Sequence, residues 1–96
     1  MLKHIVCFQL QDPTEENCRE AQRVLLSMEG KVEQLRSIEV GIDMLHSERS
    51  YDLILQVTLD DRAALDAYQN HPYHVGVVKK HMHAVRKASV AVDYYI

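Results

Sequence analysis

Four segments of the chain alternate apolar and polar residues with the period of a β-strand, and segments of helical period separate the first from the second and the third from the fourth. That order leaves few folds open. Leu2, His4, Val6, Phe8 and Leu10 share one face of the first segment, opposite Lys3, Ile5, Cys7 and Gln9. In the second, Ile38, Val40, Ile42 and Met44 alternate with Glu39, Gly41 and Asp43; in the third, Leu53, Leu55, Val57 and Leu59 alternate with Asp52, Ile54, Gln56 and Thr58. The polar run His46 to Ser50 lies between them, which predicts an antiparallel hairpin. Ala88, Val90, Val92, Tyr94 and Ile96 alternate with Lys87, Ser89, Ala91, Asp93 and Tyr95, predicting a fourth strand and an ordered end.

Asp12-Pro13-Thr14 supplies a turn and an N-cap, and Glu15 and Glu16 follow where the positive end of a helix dipole favours them. At about 100° per residue, Cys18, Ala21, Val24, Leu25 and Met28 fall in an arc of about 120°, which predicts a helix lying on a sheet and ending near Gly30. Asp60 or Asp61 caps a short helix through Asn70, and Pro72, suited to a first helical position, starts another that runs to about His83. In that helix His74, Val75, Val78, His81, Met82 and Val85 share one arc, with His83 opposite. The order β-α-β-β-α-β, its second helix broken, is the split βαβ pattern of ferredoxin-like α+β folds with a four-stranded antiparallel sheet. No linker composition interrupts it, so residues 1–96 are expected to form a single domain.

A chain of 96 residues buries only about 60 to 65% of its unfolded surface, which favours sharing a core with another chain. Helices can cover the strongly apolar face of each strand. The second face still carries Ile5, Cys7, Ile54 and Ala91 with nothing left to cover it, which predicts a homodimer whose two sheets pack as a barrel. With 11 Lys+Arg against 14 Asp+Glu and a net charge of -3, the chain lacks the cation excess of a nucleic-acid or anionic-membrane binder. No apolar run approaches the roughly 20 residues of a membrane span, and His4 and Gln9 interrupt the opening segment where a secretory signal needs apolar residues. Cys7 and Cys18 are too few for a disulfide framework. A cytoplasmic location is expected.

His4 is the one polar residue on the helix-facing side of the first strand. Continuing the short helix to His71 puts Tyr68 and His71 on its Ala64 side, and His74 opens the sheet-facing arc of the next helix, so these four side chains converge between sheet and helices. A neutral imidazole is the usual proton-transfer group near pH 7, and a phenol beside it can donate to a developing oxyanion. Tyr68 and His74 are thus the candidate catalytic residues, and His4 and His71 the candidate substrate-binding ones. A helix dipole acting on His74 would lower its pKa. The bland alternative makes each histidine a satisfied core or capping group and Tyr68 a packed aromatic. No metal is expected, because no histidine pair has four-residue spacing within a predicted helix and no nearby thiolate or carboxylate completes a ligand set. Lys79, Lys80, Arg86 and Lys87 scatter around a helix end without stacking aromatics and read as a solvated face.

Lys3-His4-Ile5-Val6, Ile38-Glu39-Val40-Gly41, Tyr51-Asp52 and, above all, Tyr68-x-x-His71-Pro72-x-His74-Val75 together resemble the stress-responsive α/β-barrel (Dabb) family, within the dimeric α+β barrel superfamily. The resemblance runs over nearly the whole chain. It implies a ferredoxin-like protomer whose sheet closes a barrel across a homodimer. One plant branch of the family contains a polyketide cyclase that closes a ring by aldol chemistry without a cofactor, using a tyrosine and a histidine that map by motif onto Tyr68 and His74, with a strand histidine mapping onto His4. At Leu53 this sequence departs from that branch, which has a further histidine there. Two functions follow from the resemblance and the residues: a pocket for a small apolar or phenolic carbonyl-bearing metabolite with cofactor-free cyclase or lyase activity, or a noncatalytic stress or assembly protein whose dimeric barrel is the product.

Overall fold

Side-chain caps set where the helices begin. Thr14 Oγ1 accepts the Asn17 N–H at 3.0 Å and starts α1 (Glu15–Leu26); Asp61 Oδ1 accepts the Ala64 N–H at 2.8 Å and starts α2 (Arg62–Gln69). The computed structural model describes residues 1–96 in full. Its strands are β1 (Leu2–Leu10), β2 (Ser37–Ile42), β3 (Leu53–Leu59) and β4 (Arg86–Tyr95), in the spatial order β2-β3-β1-β4, with every neighbouring pair antiparallel. Between Pro72 and β4 the chain forms a π-helical segment (His74–Lys79) that runs directly into α3 (Lys80–Val85). This is the ferredoxin-like α+β fold, with the helices on one face of the sheet.

The α1 stripe Cys18, Ala21, Val24 and Leu25 is buried against the sheet residues Leu53, Leu55, Val57 and Leu59. Each buried Val or Leu among them stabilises the fold by about 1.5 to 3 kcal/mol relative to an exposed position. Helix α1 ends at Leu26, earlier than Gly30, because Ser27 caps it and the chain then turns, with Gly30 at a left-handed φ of 81°. Strand β2 likewise stops at Ile42, where its ladder with Leu53 ends, and Met44 projects into solvent.

Strand β4 is the reverse of the expected one. The apolar alternation places Ala88, Val90, Val92 and Tyr94 under the helices, but the register pairs Val6 with Ala91, His4 with Asp93 and Phe8 with Ser89. Directly paired residues share a face, so Ser89, Ala91 and Asp93 lie on the helix side, and Val90, Val92 and Tyr94 lie on the open side beside Cys7, Ile5 and Lys3. Ala91 therefore does not contribute to the open face. The face is more apolar for it, since Val90 and Val92 are 50% and 61% exposed.

Asp52 joins the start of β3 to β1. Its Oδ2 accepts the Leu10 N–H at 2.7 Å, and its own N–H donates to the Phe8 carbonyl at 2.8 Å. Losing the carboxylate strands a backbone donor at the end of a central strand. Asp52→Ala is expected to reduce stability by about 1 to 2 kcal/mol, read from the midpoint of urea unfolding with an unchanged slope.

Candidate functional site

Tyr68, in the last turn of α2, is fully buried between two histidines. Its ring stacks on that of His74 with centroids 4.4 Å apart and planes at 25°, and meets His4 edge-on at 5.7 Å and 64°. The phenolic oxygen has no hydrogen-bond partner in the protein and almost no exposure to bulk solvent, at the wall of a cavity. Such an orphaned hydroxyl calls for an explanation, because leaving it unpaired costs about 1 to 3 kcal/mol. Burial and the nearby Asp93 carboxylate both push the Tyr68 pKa upward, so the group is a phenol and a donor across the physiological range.

Both histidines have one ring nitrogen engaged. His4 Nδ1 bonds to Asp93 Oδ1, a carboxylate brought from β4 by the register, and His74 Nδ1 faces the Gln69 carbonyl at 3.4 Å, near the C-terminal end of α2. With Nδ1–H donating to the Gln69 carbonyl, Nε2 of His74 is left as an acceptor. The pKa of His74 is lowered to about 4, mainly because burial disfavours the charged ring and secondarily because Lys79 lies close. The direction is the one expected, but burial rather than a helix dipole causes it, and His74 sits in a π turn rather than at an α-helix N-terminus.

A histidine whose folded pKa lies near 4 against an unfolded value of 6.5 binds fewer protons when folded between those two pH values. Its contribution to stability is therefore present above pH 6.5 and is lost as pH falls toward 4. Urea titrations of the wild type and His74→Asn are expected to diverge over that window, with the wild type losing roughly 1 to 3 kcal/mol more than the variant.

His4, Tyr68 and His74 line one cavity of about 240 Å³ beneath the broken helix, with Val6, Phe8, Leu25, Leu55 and Met82 providing apolar walls. His71 lies outside it. Its Nδ1 accepts the Tyr73 N–H at 3.1 Å and its Nε2 donates to Glu33 Oε2 at 3.1 Å, so it braces the turn between α2 and the π segment. No group of three His, Cys, Asp or Glu side chains is placed to hold a metal ion. Cys18 is buried in the α1 stripe and Cys7 lies on the open face, so the two thiols stay apart.

The helix after Pro72 does not keep the phase that its sequence implies. A π turn adds about one residue to the helix, which rotates everything beyond it by about 100°. His81 therefore faces the groove against Glu20 and Arg23 of α1, whereas His83 lines the cavity, each opposite to the α-helical expectation; Val75, within the π turn, is exposed as well. Lys79 and Arg86, read from the sequence as part of a solvated face, also line the cavity. No feature of the sequence marks the π turn except Gly76 near its centre. Asp93, the partner of His4, is hidden by a separation of 89 residues.

The profile of the stress responsive A/B barrel domain family matches residues 2–96. An uncharacterized protein of Streptomyces coelicolor is 32% identical over 80 residues, which is 77% of this chain and 79% of the relative. A dimeric ferredoxin-like protein of unknown function from Bacteroides fragilis superposes with a TM-score of 0.82 over 99% of this chain and 95% of its own, at 27% identity. A hydroxynitrile lyase from Passiflora edulis superposes with a TM-score of 0.84 over 99% of this chain and 92% of its own, at 12% identity, which is a likeness of fold alone. The matched span holds both the sheet and the Tyr68-to-His74 run that builds the cavity, and the chain belongs to the stress responsive A/B barrel domain family.

Proposed function

We propose that the cavity takes a small apolar, carbonyl-bearing metabolite and that Tyr68 and His74 catalyse its cofactor-free ring closure or cleavage, in a homodimer formed through the open sheet face. The observation that carries this reading is the buried Tyr68 hydroxyl, left without a partner between two imidazoles at the wall of a cavity. A substrate carbonyl oxygen would satisfy that donor. His74 Nε2, neutral at pH 7, takes a proton from the carbon next to the carbonyl, and that carbon attacks a second carbonyl of the same molecule to form a C–C bond. The new alkoxide receives the Tyr68 proton, and as product leaves the imidazolium gives its proton to water while the tyrosinate regains one from it. Both residues are restored and no oxidant or metal enters. His4, held by Asp93, orients the substrate from the sheet side.

The cyclase branch resembled in sequence supports this reading, and a hydroxynitrile lyase shares the fold. The dimeric state of the Bacteroides fragilis relative, together with the uncovered Val90, Val92 and Ile54, supports the dimer. Thermal shift against a panel of phenolic and polyketide-like carbonyl compounds tests the pocket. A ligand at 100 times its Kd should add about 2.7 kcal/mol to stability. A panel in which no compound moves the melting curve would favour the noncatalytic reading, in which the two histidines and Tyr68 are core packing.

A further inference from the structure

We infer that the metabolite taken by this cavity carries a carboxylate, held at the mouth by Lys79, Arg86 and His83 while its carbonyl lies at Tyr68; this rests on the cavity being a ligand site for a carbonyl compound. Two irregularities of the backbone point the same way. At about 100° per residue an α-helix would hold His74 and Lys79 about 140° apart, but in the π turn, whose hydrogen bonds run from i to i+5, both face the cavity. The same turn brings His83 round to the cavity. On β4 a bulge shifts the register between Gln9 and Leu10, so that Arg86 pairs with Leu10 and lies on the helix side, where unbroken alternation would put Lys87. Each irregularity re-aims a cation, and both aim at one mouth.

The charges there are unanswered within the protein. The 15 residues lining the cavity include no Asp or Glu, although the chain as a whole carries more acids than bases. Lys79, His83 and Arg86 take part in none of the ion pairs, and Asp93 is engaged by His4. Lys79 and Arg86 are half-buried, and each is held by one neutral acceptor: Lys79 Nζ donates to the Gln69 carbonyl at 3.2 Å and Arg86 Nη1 to Ser89 Oγ at 2.8 Å. Those bonds fix the head groups and leave further N–H donors free, as a carboxylate requires. Depth divides the cavity by chemistry. His4, Tyr68 and His74 are buried, apolar side chains line the walls, and Lys79, Arg86 and His83 are the half-buried or exposed part of the lining. A keto acid matches that division, with its charge in the half-solvated rim and its carbonyl among the buried rings.

Titration calorimetry with 4-oxooctanoate, its methyl ester and 4-octanone tests the assignment on the intact protein. The acid should bind at least about tenfold more tightly than the ester, a preference that weakens as salt is raised. Arg86→Gln and Lys79→Gln should each bring the ratio of acid to ester affinity toward one, whereas Arg86→Lys should keep most of it. Equal binding of acid and ester by the wild type, or an unaltered ratio in both Gln variants, would overturn the carboxylate rim while leaving the carbonyl cavity standing. Failure of all three compounds to bind would overturn the cavity reading and the rim with it.

Discussion

Replacing Val92 with Asp is expected to turn a dimer into a folded monomer at micromolar concentration. Val92 is 61% exposed within the protomer and is opposed to Ile5 on the open face, with Val90 and Tyr94 on the same strand. That face has no cover in its own chain, and two copies packed through it should bury more than about 1,200 Å² in total. Under two-fold symmetry the substitution acts twice, placing two unpaired carboxylates in an apolar contact at a cost of several kcal/mol. A loss of about 4 kcal/mol raises the dissociation constant roughly a thousandfold. The protomer core lies on the other side of the sheet, so the circular dichroism spectrum should be retained. Ile54→Asp, two strands away on the same face, should act in the same direction. Sedimentation velocity decides the matter, and a wild type that is monomeric at 10 to about 50 µM would remove the premise, since interfaces of this size hold together well below that range.

Tyr68→Phe is expected to separate activity from stability. If the hydroxyl donates to a developing oxyanion, its removal should lower turnover by about 10²- to 10³-fold, and His74→Ala should lower it by a comparable factor. The same change removes a buried hydroxyl that has no partner, so the folded protein should become more stable by about 1 kcal/mol or stay unchanged. A group placed for packing alone predicts a Tyr68→Phe that is silent in any activity or ligand-binding assay. His74→Ala opens a cavity against the Tyr68 ring and should destabilise under either reading, so activity per folded molecule is the quantity to compare. A Tyr68→Phe variant that turns substrate over at the wild-type rate would dismiss the phenol as the proton donor.

Periodicity carried the element order, the helix faces of β1, β2 and β3 and the convergence of His4, Tyr68 and His74, and residue type carried the N-caps, Thr14 for α1 and Asp60 or Asp61 for α2. Each of these depends on residues close in sequence or on a pattern that repeats every two or 3.6 residues. Asp61, for example, caps α2 through an N–H three residues away, and no distant contact can change that. His71 was legible as part of the Tyr68-to-His74 run, but its two hydrogen bonds turn it away from the cavity, and one of them reaches Glu33 on a different part of the chain.

Alternation also told which residues of β4 share a face, but not which face the helices would take. Pairing with β1 decided that, and the polar set lies on the helix side, where Asp93 meets His4 and Ser89 meets Arg86, while the apolar set was left on the open face. The π turn after His74 and the bulge at the start of β4 were equally silent in the sequence, since each is a local compromise that lets the chain satisfy packing elsewhere. The amino-acid sequence by itself determined the split βαβ order and brought two histidines and a tyrosine to the same region, because local hydrogen bonds and short-range periodicity suffice for that. Only the tertiary structure decided which face of β4 is open and which cations reach the cavity, because both depend on register and helical phase, which a single-residue shift reverses and only the fully paired sheet can hold in place.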